Sequence, residues 1–267
     1  MKTLKGEIIA NDKIGEDIYK MTVFSPYMAK QCIPGQFINI KCSESGVFDP
    51  LLRRPFSVYD IEEDFKVFSI IYMLKGKGTK YLKSLEPGDI IDFIGPLGNG
   101  IRIDNESGGK YLLIGGGIGI APLYFLAKHL NFKKNSVFLA AGFRDNRFLF
   151  FEKAIQILKI NYQICSEDGT HGRRGLISDF INESIDEFRD YNIYCCGPSA
   201  MFKTLKEIFT VNNMDSKAYA LFEEIMACGI GVCKGCVIKT IDKNNNYTYK
   251  TVCKDGPLFK LKEVVFE

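Results

Sequence analysis

Short apolar runs separated by turn signals dominate the first hundred positions. Residues around 7–10, 18–24, 36–41, 55–60, 66–73 and 90–94 are rich in Ile, Val, Phe and Tyr, and Pro34-Gly35 and Pro87-Gly88 punctuate them. Strands this short and regularly spaced predict a small antiparallel β-barrel over 1–100. Gly78-Thr79 predicts the start of one short helix, with Thr79 as its cap ahead of Tyr81 and Leu82. From Lys110 the rhythm changes. Buried strands are expected at 111–114, 136–141, 162–165, 192–196 and 218–222, with helical patterns between them, clearest at 121–130 and 199–209. Strands alternating with helices predict a parallel α/β sheet over 101–222, the boundary falling in the turn-rich stretch from Gly95 to Gly109. Residues 223–267 form a third unit, a cysteine-rich segment with a short β-like tail. There is no internal repeat and no low-complexity segment.

Composition narrows the function. Apolar residues make up 46% and charged residues 25% of 267 positions, the balance of a globular protein. A net charge of +3 gives no footprint for nucleic acid. Lys75 to Lys80 mixes Gly with Lys and reads as solvated surface. No run approaches the roughly 18 apolar residues of a membrane span. The N-terminus lacks the pattern of a secretory signal, so a cytoplasmic protein is expected. Nine cysteines in such a protein point to metal or redox chemistry rather than disulfides.

Four of those cysteines are organised. Cys228, Cys233 and Cys236 follow C-x4-C-x2-C spacing, and Cys253 comes sixteen intervening residues later. That is the ligand spacing of a plant-type [2Fe–2S] cluster. Glycines at 229, 231 and 235 let backbone N–H groups approach the sulfurs without Cβ clashes. The alternative, a four-cysteine zinc site, prefers two short Cys pairs.

Three further segments suggest nucleotide binding. Gly115, Gly116, Gly117 and Gly119 lie between an apolar strand and a helix that opens near Pro122, where backbone can approach a pyrophosphate. The spacing is not the G-x-G-x-x-G fingerprint, so a tight turn without ligand is the alternative. Cys196-Gly197-Pro198, with Met201 in the next helix, occupies a second strand end, where α/β sheets bind ligands. Cys195 reads as core packing. In the barrel, Arg54-Pro55-Phe56-Ser57 offers a guanidinium for phosphate and a ring to cover a flat cofactor. Strand alternation puts Arg54 and Phe56 on one face and Ser57 on the other, unless the strand bends.

Together these segments resemble the ferredoxin–NADP reductase superfamily. Its flavin motif R-x-Y/F-S/T is matched by Arg54-Pro55-Phe56-Ser57, with Phe56 in place of the commoner tyrosine. Its second flavin motif is matched by Gly78-Thr79. The segment from Glu223 to Cys236 is similar to one branch, the electron-transfer subunits of NAD-dependent, heteromeric dihydroorotate dehydrogenases, although Ile225 stands where that branch has a basic residue. The resemblance spans the chain and implies FAD, NAD and a [2Fe–2S] cluster. By it, Arg54 contacts the FAD pyrophosphate, Phe56 packs on the flavin, Ser57 bonds near N5, and Gly78 and Thr79 hold phosphate. Ile71, Tyr72 and Met73 line the FAD by position. Glu223, Cys196 and Met201 border the nicotinamide. It further implies an FMN-containing catalytic subunit that oxidises dihydroorotate in pyrimidine biosynthesis, in a heterotetramer with two of each subunit. NAD is favoured over NADP by the resemblance alone; Arg173 and Arg174 offer either contacts to a 2′-phosphate or a solvated loop. No general acid or base is required, and His129 and His171 read as structural or surface residues. Related subunits serving ferredoxin, glutamate synthase-like or hydrogenase partners remain alternatives. So does a different class, a non-catalytic redox sensor or zinc-stabilised nucleotide-binding module.

Overall fold

The computed structural model describes residues 2–44, 46–103, 108–145 and 150–266. Part of the expected boundary stretch, 104–107, lies outside them. Six strands, β1 (Lys2–Gly15), β2 (Ile18–Phe24), β3 (Phe37–Ile40), β4 (Arg54–Glu62), β5 (Val67–Met73) and β6 (Ile90–Leu97), close into an antiparallel barrel in the order β1-β2-β5-β4-β3-β6. The period-two pattern is plain in β6, where Ile91, Phe93 and Leu97 are buried and Ile90 is exposed. Ile38, Ile40, Val58, Phe68, Ile70 and Phe93 are sealed in its core. A short helix, α1 (Pro26–Gln31), was not expected. It covers one barrel end, with Pro26 in its first turn, where the missing N–H costs nothing.

The helix expected at Gly78-Thr79 begins earlier, as α2 (Lys77–Ser84), with Gly76 at its N-cap. Thr79 is therefore not the capping residue. It sits in the third helical position, and its hydroxyl reaches back to accept the N–H groups of Lys75 at 2.9 Å and Gly76 at 3.2 Å. A threonine hydroxyl satisfies first-turn donors from either position, so sequence alone misplaces the boundary.

The second half alternates as expected: β7 (Lys110–Gly116), α3 (Ile120–Phe132), β8 (Ser136–Phe143), α4 (Phe150–Leu158), β9 (Asn161–Ser166), β10 (Arg173–Arg174), α5 (Ile177–Glu183), β11 (Asn192–Cys196), α6 (Ser199–Val211) and β12 (Ala218–Leu221). The last segment supplies a hairpin, β13 (Val237–Ile241) and β14 (Tyr247–Thr251), a turn of helix, α7 (Val252–Asp255), and β15 (Leu258–Lys260). The main sheet runs β10-β9-β8-β7-β11-β12-β15 and is parallel except for β15, which returns antiparallel along β12. Strand order reverses between β7 and β11. At such a switch point the loops leaving both carboxyl ends diverge and leave a crevice.

Barrel and sheet dock through α3 against β4. Tyr59 stacks on Tyr124 with ring centroids 4.5 Å apart, a contact worth about 0.5–1.5 kcal/mol beyond its buried area. The Lys128 ammonium donates to the Asp60 carboxylate at 2.7 Å. This docking holds the flavin-motif strand in front of the switch point.

Candidate functional site

A cleft of about 1040 Å³ opens between β4, the end of β5, the start of α2 and the first turn of α3. Arg54, Pro55, Phe56, Ser57, Ile71, Tyr72, Met73, Gly78 and Thr79 all line it, with Glu223 at its far side. Strand alternation had separated Ser57 from Arg54 and Phe56. The cleft wraps the strand end instead, so all four consecutive residues border it, and Pro55 and Ser57 also border a second hollow.

Neighbouring residues select which groups face the cleft. Arg53 is spent on Asp92, with a guanidinium bond to the carboxylate at 2.8 Å and another to the Asp92 carbonyl at 2.9 Å. Arg54 donates only to the carbonyls of Leu52 and Arg53 and makes no ion pair among the described residues, leaving cationic capacity for a phosphate. A methyl group at Gly78 would fall 3.4 Å from Cγ of Arg54, so the start of α2 lies against that arginine. Lys75, Gly76 and Lys77 line the cleft too. Lys75 and Lys77 are exposed, as expected of a solvated stretch, and Lys77 pairs with Asp49; beside a helix N-terminus they also add positive potential where a diphosphate would lie. Phe56 meets Tyr72 edge-on at 6.1 Å, and the Tyr72 hydroxyl is taken up inside the barrel by Asn11 at 2.9 Å. Together they form an apolar wall that would suit a flat ring.

The two strand-end loops are in direct contact. A methyl group at Gly119 would lie 2.5 Å from the Cys196 carbonyl oxygen, and one at Gly197 would lie 3.1 Å from the Gly116 Cα. At Gly116 it would strike Met201 Sδ and Pro198 Cδ, both at 2.9 Å. Gly115, Gly116, Gly119 and Gly197 are thus required by close approach. Gly117 is different: its φ is +56° and no atom of the described residues lies within 4 Å of its Cβ position, an open cradle for an approaching phosphate. Gly116, Gly117, Pro198 and Met201 line a hollow of about 870 Å³. Sequence reasoning missed Gly142, Arg144, Glu167 and Ser178 on its other wall. Gly142 and Glu167 stand at or just past the carboxyl ends of β8 and β9, and that position was the available signal. Arg173 and Arg174 do not line this hollow. Arg173 pairs with Glu183 and stacks over Phe180.

A third, narrow hollow joins the flavin-motif and sheet-side residues: Ser57, Pro122, Cys196 and Glu223 border it. Glu223 is exposed at the mouth of this hollow, where the surrounding protein partly desolvates it and pushes its carboxyl up, with Lys75 opposing. Burial likewise pushes the Cys196 thiol well up, aided by Glu223, so Cys196 is a neutral wall. Cys195 is fully buried in the core. His171 is bonded to Glu152 at 2.7 Å, away from these walls.

The four C-terminal cysteines gather beneath the barrel rim. Gly229 and Gly231 adopt φ of +69° and +83°, which turns the loop back on itself. The N–H groups of Cys233 and Ile230 donate to Cys228 Sγ at 3.4 and 3.5 Å, and that of Gly235 donates to Cys233 Sγ at 3.4 Å. Partial burial raises the Cys228 thiol, but these donors outweigh it and bring it down to about 6. Burial, with a hydrogen bond to Cys236 that keeps the Cys253 thiol protonated, holds Cys253 up at about 12. Cys228 lies against Cys233, and Cys253 lies against Cys236 and feels Cys228 as well, so the four thiols share one neighbourhood. Among the described residues, no three His, Cys, Asp or Glu side chains converge as around one ion. Cys228, Cys233, Cys236 and Cys253 would hold a [2Fe–2S] cluster, whose plant-type ligand spacing they match.

Three family descriptions match successive stretches of the chain. Residues 5–100 match an oxidoreductase FAD-binding domain and residues 113–207 an oxidoreductase NAD-binding domain. Residues 223–265 match the iron–sulfur cluster binding domain of dihydroorotate dehydrogenase B. The electron transfer subunit of dihydroorotate dehydrogenase B (NAD(+)) from Geobacillus sp. (strain WCH70) is 38% identical over 99% of both chains. That from Caldanaerobacter subterraneus subsp. tengcongensis is also 38% identical, over 98% of both. A solved structure of an NADH-dependent reduced ferredoxin-NADP oxidoreductase superposes with a TM-score of 0.81 at 30% identity, covering 99% of this chain and 91% of that one. Ferredoxin-NADP+ reductase from Plasmodium falciparum, at 13% identity and a TM-score of 0.67 over 82% of this chain and 95% of that one, shares the fold. The barrel, the switch-point sheet and the cysteine loop follow one another in the same order as these matches, and the chain belongs to the family of dihydroorotate dehydrogenase B electron-transfer subunits.

Proposed function

We propose that the chain relays electrons between NAD(H) and an FMN-containing catalytic subunit that oxidises dihydroorotate, two copies of each assembling in the cytoplasm. Its working units are then 1–100 for FAD, 101–222 for NAD and 223–267 for the [2Fe–2S] cluster. One observation carries the reading: Glu223, the first residue of the cysteine-rich segment, borders both the flavin-motif cleft and the hollow at Cys196, so three sites meet at one place. Bound FAD would supply exchange between two-electron and one-electron transfer.

The chain's own groups do the rest. Arg54, with Lys75, Lys77 and the N–H groups at the start of α2, neutralises a diphosphate. Phe56 and Tyr72 wall the ring side of the cleft, and Ser57 presents a hydroxyl where cleft and hollow meet. The loops at Gly115–Gly119 and Cys196–Pro198 orient a dinucleotide so that its reactive ring reaches that junction. Cys196, kept neutral, and Pro122 exclude water there. Cys228, Cys233, Cys236 and Cys253 hold the cluster. Beside them Ile225 and Val232 are 86% and 75% exposed, apolar surface that suits a docked partner.

The test is reconstitution. The chain alone should bleach its flavin with NADH and reduce artificial acceptors, yet leave dihydroorotate untouched. With the catalytic subunit it should reduce NAD at the expense of dihydroorotate. Oxidation of dihydroorotate by the chain alone would sink the proposal, as would a complex reducing ferredoxin but never NAD.

A further inference from the structure

Asn39 lies at the centre of β3, fully buried, with Pro55 of the flavin motif as its register neighbour on β4 and Ile94 on β6. Ile38 and Ile40 fill the barrel core, so alternation turns Asn39 outward, where an amide buried under another segment needs a reason. Its Nδ2 donates to the carbonyl of Ala227, immediately before Cys228, at 3.3 Å. A methyl group at Gly229 would fall 2.9 Å from the same Nδ2 and 3.2 Å from Leu97 Cδ1. The loop backbone on both sides of Cys228 is thus seated on the Asn39 amide, with only glycine admitted at 229. The Asn39 Oδ1 is buried and has no hydrogen-bond partner among the described residues. An unmatched buried acceptor is rare, and this one belongs to a side chain in contact with the cysteine loop.

We infer that Asn39 is a positioning residue for the iron–sulfur centre: it fixes the backbone around Cys228 to the strand paired with the flavin motif, setting the loop in register with the FAD cleft. This rests on the four cysteines holding a cluster. The amide acts through the loop and touches no reacting atom. Its second atom remains available to an N–H of the same loop when the cysteines close on their metal.

The test compares the full chain, purified anaerobically with its cofactors, with Asn39→Leu and Asn39→Asp. Leu keeps the volume, removes both polar atoms and suits an apolar barrel, so it decides the matter if the buried Asp variant does not fold. The readouts are FAD content, flavin bleaching by NADH, the EPR spectrum of the dithionite-reduced cluster, and the rate of iron loss to a chelator. Support would be Asn39→Leu with normal FAD content and flavin bleaching, an altered EPR spectrum, and iron loss at least tenfold faster. A wild-type spectrum and wild-type iron retention would overturn the inference. Joint loss of FAD and iron would also overturn it, because the residue would then serve only the barrel. A wild-type chain that holds zinc or no metal would instead remove the cluster reading beneath it.

Discussion

Gly119→Ala tests the contact between the two nicotinamide-side loops. Gly119 has a φ of −62°, which any residue adopts, so the substitution introduces no backbone strain. The penalty is steric alone. The new methyl would meet Cys196 O at 2.5 Å, Cys196 C at 2.7 Å and the Gly197 nitrogen at 2.8 Å, whereas ordinary contact begins at 3.4 Å. The loops must part by about 0.9 Å (3.4 − 2.5) at the closest atom, and all three atoms are backbone, held by the pairing of Cys196 with Gly115. Overpacking of this kind costs about 1–3 kcal/mol, and rigid backbone neighbours put it toward the upper end. If half of that falls on the seated dinucleotide, NADH affinity drops about tenfold, since 1.4 kcal/mol is a factor of ten. The assay is NADH-dependent ferricyanide reduction, with FAD and iron content measured on the same samples. The KM for NADH should rise about tenfold or more while both cofactors are retained, because Gly119 itself lines neither the flavin-motif cleft nor the cysteine loop and its new methyl meets only the Cys196 side. An unchanged KM with unchanged urea stability would refute the packing argument.

Cys253→Ser should abolish the cluster, since a serine hydroxyl does not replace the thiolate. Iron should be lost and partner-dependent NAD reduction should fall beyond the about 10–100-fold that losing a supporting hydrogen bond costs a metal site, while NADH still bleaches the flavin. Val232→Glu places a charge on the exposed apolar surface beside the cluster. It should weaken association with the catalytic subunit at least about tenfold in a titration, with iron content unchanged. Asp60 carries a pH signature. Burial raises its carboxyl above the ordinary 3.8, against the opposing pull of Lys128. The folded chain then holds a proton that the unfolded chain has released, so this group's contribution is complete below pH 3.8 and is lost as pH rises through its folded value. The difference in urea midpoint between wild type and Asp60→Asn should shift in that direction across the window; a flat difference contradicts it.

Much of this architecture was legible because its signals are local. Period-two runs marked the barrel strands, buried apolar runs marked the sheet, and the spacing of Cys228, Cys233 and Cys236 needed no fold at all. What escaped the sequence depends on distant partners. Thr79 could satisfy donors from two helix positions, and only Gly76 at the cap decides between them. Lys75 and Lys77 are solvated as expected, but nothing nearby in sequence says that they border the same cleft as Arg54. Glu167 follows β9 inconspicuously, and its place on the dinucleotide-side wall appears only once β8 and β9 are paired. Asn39 is one polar residue in an apolar strand, meaningful only when a segment 188 residues later settles on it.

The central claim is that one chain holds flavin and an iron–sulfur cluster within electronic reach of NADH. The most direct measurement is the visible absorption spectrum of the anaerobically purified protein before and after NADH. Flavin bands over broad cluster absorption, both bleached by NADH, are the predicted result. A protein that stays colourless and zinc-bound after reconstitution with iron, sulfide and FAD would contradict it, as would flavin that bleaches while an intact cluster stays oxidised.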